Sequence, residues 1–144
     1  RQLHERAGST HIVHLHGELT KVCSSRDPNN PHYIKELQPE EYEVRMGDRA
    51  GDGSQFRPFI VWFGESVTEI ETAIDFVEKA DIFVIIGTSM NVYPAAGLLN
   101  YVPRGAEVYL IDPRPVDTHT SRPIHVIRKG ASEGVAELQK LLGV

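Results

Sequence analysis

The run Ile82-Phe83-Val84-Ile85-Ile86 constrains this chain more than any other segment. Five consecutive apolar residues closed by Gly87 read as a central strand buried on both faces, the pattern of a parallel sheet. Val108-Tyr109-Leu110-Ile111, closed by Asp112-Pro113, and Ile124-His125-Val126-Ile127 read as the next strands. Upstream, Phe59-Ile60-Val61-Trp62-Phe63 is another apolar run, closed by Gly64. Ser66 followed by Glu69 resembles a capping box, and Val67, Ile70, Ile74, Val77 and Ala80 recur at helical spacing. A short helix fits Ala95–Tyr101, and a last one fits Gly134–Leu142, carrying Val135, Leu138, Leu141 and Leu142. Strand, helix, strand, helix, strand with short links requires right-handed crossovers and a parallel sheet. The expected fold class is α/β, a partial Rossmann-like parallel sheet with helices on both faces.

Before this region, His11–His16 alternates Ile, Val and Leu with His like a short strand, and Gly17 ends it. Residues 20–57 differ in character. Asp27-Pro28-Asn29-Asn30-Pro31 is turn chemistry, and Gly47, Gly51 and Gly53 punctuate an acidic stretch with few apolar residues. Tyr33–Leu37 and Glu40–Met46 fit a helical turn or a strand. The expected division is a main domain of residues 1–19 and 58–144 with a small inserted module at 20–57. Asp48 and Asp52-Gly53 do not make a calcium loop, because Ala50 and Phe59 stand where ligands belong.

Composition excludes several classes. Fifteen Lys plus Arg against twenty Asp plus Glu give a formal charge of −5, which argues against binding nucleic acid through bulk basic charge. Cys23 is the single cysteine, so no intramolecular disulfide forms and no multi-thiolate metal site can be built from this chain. No apolar stretch approaches the roughly 18 residues of a spanning helix. A cytoplasmic monomer without direct nucleic-acid or membrane partners is expected.

Open parallel sheets bind ligands outside the carboxyl ends of their strands. There, Gly87 allows close backbone approach, and Thr88 and Ser89 offer hydroxyls and amides to a phosphate or ribose; the alternative is an ordinary strand-to-loop turn. Asp112 fits a ribose diol, or only a turn before Pro113. His14 and His16 fall on one side of the expected strand. A shared metal would need further ligands, whereas a histidine before a strand-end glycine suits general-base work; a plain polar strand residue is the third option. Trp62 and Phe63 read as core.

Leu3-His4-Glu5-Arg6-Ala7-Gly8-Ser9, Leu15-His16-Gly17-Glu18-Leu19, Pro58 with Val61-Trp62-Phe63-Gly64-Glu65, and Gly87-Thr88-Ser89-Met90 with Val92-Tyr93-Pro94-Ala95-Ala96-Gly97 occur in that order. Together they resemble the sirtuins, NAD-dependent protein lysine deacylases, and most of all the bacterial branch. The resemblance covers essentially the whole chain. It implies that His16 is the general base. In that reaction the acyl-lysine oxygen attacks the nicotinamide ribose, nicotinamide leaves, and an alkylimidate forms. The base then deprotonates a ribose hydroxyl that closes onto the imidate carbon, and water completes release of lysine and O-acyl-ADP-ribose. The resemblance also places Gly87, Thr88 and Ser89 at the adenosine half of NAD, with Ala131 at a further adenine-side position. Asp112, Pro113 and Arg114 align with the family's Asn-x-Glu in either of two registers. Val61, Phe63 and Gly64 match the wall receiving acyl-lysine, so for Phe63 this reading replaces core. His14 has no counterpart role and remains a strand residue.

Two departures stand out. Most sirtuins hold a structural zinc with two Cys-x-x-Cys pairs in the module, whereas 20–57 contains Cys23 alone, beside Ser24 and Ser25. A zinc-free module and no metal ligands are expected. The family's Gly-Ala-Gly-x-Ser phosphate loop and Thr-Gln-Asn-x-Asp segment precede the Leu-His-Glu-Arg motif and are not in this sequence, which implies a C-terminal portion of the catalytic domain. The Tyr-x-x-Arg pair of desuccinylating members is also absent, leaving acyl preference unreadable. The alternatives are a non-catalytic NAD or ADP-ribose binding module and a sirtuin-like protein ADP-ribosyltransferase.

Overall fold

The computed structural model describes residues 3–40 and 42–144. The chain forms two compact units, Arg1–Glu69 and Ile70–Val144.

The first unit is a small antiparallel sheet with short appendages. Helix α1 (Leu3–Arg6) leads through a loop to β1 (Gly17–Ser24), β2 (Lys35–Glu36) and β3 (Phe56–Ile60). The order is β2-β1-β3, with Gly17 opposite Ile60 and Ser24 opposite Phe56, and the register shifts between Glu18 and Val22. Val22, Cys23 and Ser24 at the end of β1 are fully buried. β1 runs unbroken through residues 19 and 20. A 3-10 turn, Pro31–Tyr33, precedes β2. Within Glu40–Met46, Glu41 lies outside the described residues, and the others form neither helix nor strand.

His11–His16 is not a strand: residues 12–14 are irregular and Leu15-His16 form a turn. Gly17 begins the strand instead of ending one. Its φ is +82°, and an added Cβ would collide with the Phe59 carbonyl oxygen across the pair, so only glycine lets β1 enter the sheet there. His14 and His16 consequently share no strand face. The 59–63 run starts and ends early, as β3, and pairs antiparallel with β1, outside the parallel sheet. Trp62 follows it into a turn and is 53% exposed, so the core reading of that residue fails.

The second unit is α/β. It runs α2 (Ile70–Val77), β4 (Ile82–Ile86), a 3-10 segment (Ala95–Tyr101), β5 (Glu107–Ile111), β6 (His125–Ile127) and α3 (Ala131–Leu142). The sheet is parallel, in the order β4-β5-β6. Successive β5 side chains alternate faces. Val108 and Leu110 pack with Ile85, Val77 and Leu99 beneath α2 and the 3-10 segment, while Tyr109 and Ile111 pack with Ile127 and Leu138 of α3. Helices thus cover both faces, as the sequence pattern requires.

β5, not β4, is the central strand of this sheet; Ile82 and Ile86 of β4 are each 43% exposed. Helix α2 begins at Ile70, so Ser66 does not cap it. On the other face Gly134 lets α3 approach β5, because a Cβ there would overlap the Ile111 side chain.

Candidate functional site

In the first unit, the turn at His14–Gly17 presents His16 with its side chain exposed. Two main-chain bonds hold that turn: the Gly17 N–H donates to the His14 carbonyl at 2.9 Å, and the Val61 N–H donates to the His16 carbonyl at 3.0 Å. The second bond extends the β1–β3 ladder by one step. It places His16 beside Val61, two segments 45 positions apart that sequence motifs alone could not juxtapose.

Beyond Val61 the chain turns. Glu65 donates its N–H to the Trp62 carbonyl at 3.0 Å, and its Oε2 accepts the Trp62 N–H at 3.0 Å. Arg57, on β3, grips the same carboxylate with both terminal nitrogens at 2.5 and 2.9 Å and donates to the Ile60 carbonyl at 2.7 Å. The Arg57 guanidinium, together with the Trp62 amide, lowers the Glu65 carboxyl to about 2. Gly64 in this turn has φ +90°, and Phe63 stands 95% exposed. Arg57 and Glu65 are a positioning pair that motif reading missed. The available signal was a cation and a carboxylate bracketing an apolar run that ends in glycine.

In the second unit, the register brings the other candidates to one edge. Ile86, Ile111 and Ile127 are neighbours across the sheet, so the segments that follow them emerge side by side. These are Gly87-Thr88-Ser89, Asp112-Pro113-Arg114, and the residues leading to Ala131, the first residue of α3. Gly87 takes φ +62° and donates its N–H to the Ile111 carbonyl at 3.1 Å. Thr88 and Ser89 are exposed, and Thr88 Oγ1 accepts the Met90 N–H at 3.3 Å. Asp112 is 2% exposed; its Oδ1 accepts the Arg114 N–H at 2.8 Å and lies 3.6 Å from Arg114 Nε. That oxygen does turn work. Gly130 caps α3 with no side-chain hydrogen bond, so the first amides of the helix have no side-chain partner at the cap.

Residues 1–94 match the Sir2 family. The chain belongs to the Sir2 family. It is 86% identical over 140 residues to an NAD-dependent protein deacylase of Bacteroides thetaiotaomicron, covering 97% of this chain and 60% of that one. It is 43% identical over 140 residues to an NAD-dependent protein deacylase of Helicobacter pylori, covering 97% and 58%. A Sir2 homologue solved with ADP-ribose superposes with a TM-score of 0.78 at 33% identity, over 99% of this chain and 58% of that one. A Sir2 homologue–NAD complex gives 0.74 at 33% identity, over 97% and 56%. The chain spans about 60% of the length of the curated relatives.

In this Sir2 chain, residues 20–57 are tied by hydroxyls and a carboxylate. Ser24 Oγ accepts the Arg26 and Asp27 N–H groups at 3.0 and 2.9 Å and donates to Asp52 Oδ2 at 2.6 Å. Ser54 donates its N–H and hydroxyl to Asp52 Oδ1 at 2.9 and 2.7 Å. The Ser24 hydroxyl, then both Ser54 donors, lower the Asp52 carboxyl to about 2. Cys23 is buried against the Pro58 carbonyl, and desolvation pushes its thiol up, away from the thiolate a metal needs. Among the described residues of 20–57, no three His, Cys, Asp or Glu groups converge. The pairing of Asp52 with Ser24 spans 28 positions, beyond the reach of any local motif.

Proposed function

We propose that this chain is part of an NAD-dependent protein lysine deacylase. The observation that carries the reading is the Val61-to-His16 hydrogen bond, which sets a histidine on a glycine turn beside an exposed apolar segment. The 86% identity to a protein named as such a deacylase supports it.

The residues fit the roles. NAD, when bound, supplies an electrophilic ribose carbon with nicotinamide as leaving group. Gly87, Thr88 and Ser89 offer amides and hydroxyls to the adenosine side, where Asp112, Pro113 and Arg114 close the neighbouring strand end. Ala131 adds the amide-rich start of α3. Val61, Phe63 and Gly64 form the wall for the acyl-lysine stem, which needs apolar contact along its methylenes. His16 Nδ1 or Nε2 accepts the ribose hydroxyl proton so that the oxygen can take the acyl group. Water completes hydrolysis, leaving free lysine and O-acyl-ADP-ribose, so the overall reaction is both transfer and hydrolysis.

Segment 20–57 acts as a zinc-free module. Acyl-lysine proteins are the proposed partners, and a bacterial cytoplasmic monomer is the proposed setting. No helix among the described residues is long and apolar enough to cross a membrane.

The test is product analysis. The full-length gene product is incubated with NAD and an acetylated peptide. Free lysine with O-acetyl-ADP-ribose supports deacylation; protein-bound ADP-ribose would mean transfer, and NAD binding without turnover would mean a binding module.

A further inference from the structure

We propose that His14 positions His16, through a carboxylate clasp made by Glu5 and Glu18; this rests on the deacylase reading of His16. His14 opens the turn that carries His16 and accepts the Gly17 N–H with its carbonyl. Its side chain reaches elsewhere. Nε2 lies 2.5 Å from Glu5 Oε1 on α1 and 3.7 Å from Glu18 Oε1 at the start of β1. One imidazole therefore links a helix, a turn and a strand on both sides of His16.

The charges around it are accounted for. Glu18 Oε2 is paired with Lys21 at 2.6 Å, which leaves Oε1 facing His14. Glu5 feels its own backbone amide, then His14 and least His4, which together hold its carboxyl below the ordinary value. Glu5 Oε2 is buried without a hydrogen-bond partner, so losing His14 would leave that carboxylate still less satisfied. The side chains are 34%, 32% and 11% exposed for Glu5, His14 and Glu18. Partial burial of this kind screens charge less than an open surface does.

The clasp matters because it adds side-chain contacts to a turn whose main chain is held at Leu15, Gly17 and Val61. His16 itself is exposed. Displacing a reacting group by about 1 Å can cost about 100-fold in rate. Rotation of this turn about its main-chain bonds moves the His16 ring directly, and the His14 contacts oppose that rotation.

The experiment compares His14→Leu, His14→Gln and Glu5→Gln in the full-length gene product. Two rates are read: lysine deacylation, which needs the base, and exchange of labelled nicotinamide into NAD, which precedes the base step. For His14→Leu, deacylation should fall about tenfold or more while exchange and the KM for NAD stay within about threefold. His14→Gln keeps an N–H donor for Glu5 and should recover part of the loss; Glu5→Gln should show the same split, more weakly. Wild-type deacylation in His14→Leu overturns the proposal. So does an equal loss of both rates with a lowered melting temperature, which marks a structural role only. Failure of the deacylase reading looks different: the unmutated protein then releases no lysine with NAD, and both ideas fall.

Discussion

Ser24 donates its hydroxyl hydrogen to Asp52 Oδ2 at 2.6 Å from a site with no solvent exposure, and receives two main-chain N–H groups in return. The Ser24 and Ser54 hydroxyls also lie within hydrogen-bonding distance of each other, at 2.8 Å, so the two serines and the Asp52 carboxylate form one connected network. This network ties the end of β1 to the loop before β3.

Ser24→Ala should therefore destabilise the protein by about 1–3 kcal/mol, because the Arg26 and Asp27 amides lose their acceptor and the charged Asp52 carboxylate loses a donor. Urea unfolding measures it. A change below about 0.5 kcal/mol would show that water replaces the hydroxyl at no cost.

The same segment should hold no zinc. Elemental analysis of protein purified without chelators should find far less than one zinc per chain. One tightly held zinc would require ligands other than those seen around Ser24.

Stability should fall in acid. Asp52 and Glu65 both titrate at about 2 in the folded chain, against ordinary values of 3.8 and 4.5. The unfolded chain then binds more protons, so stability rises with pH across that window. This contribution is complete above about pH 4.5 and is lost as pH drops toward 2. Asp52→Asn and Glu65→Gln should each flatten the acid limb of the melting temperature between pH 2 and 5. An unchanged acid limb in both variants would refute the assignment.

His16→Ala should nearly abolish deacylation while NAD binding stays measurable by calorimetry. Turnover at the wild-type rate would remove His16 as the base.

Gly134→Ala should destabilise despite the gain of about 1 kcal/mol in helix propensity. The new methyl overlaps the Ile111 side chain, which is 1% exposed and has nowhere to move. Overpacking costs about 1–3 kcal/mol, so it outweighs the propensity gain. A melting temperature at or above wild type would show that α3 shifts freely.

Much of the second unit was legible because its signals are local. The 3-10 segment matches its expected bounds, and the 82–86 and 108–111 runs are strands because their side chains can leave water only inside a sheet. Apolar character did not say which strand is central, since that depends on neighbours. In the first unit, local pattern misled. His11–His16 alternates like a strand, yet Gly17 at positive φ admits the chain to the sheet only from its own position onward.

The sequence by itself determined the family, through motifs whose order survives without coordinates, together with the α/β class and the absence of paired thiolates. Tertiary structure decided what those motifs do to one another. The Val61–His16 bond, the Arg57 grip on the Glu65 turn, the Ser24–Asp52 tie and the His14–Glu5 arm of the clasp join residues separated by 8 to 45 positions. A hydrogen bond depends on where two atoms meet and not on how far apart they lie along the chain, so no reading of local pattern contains it.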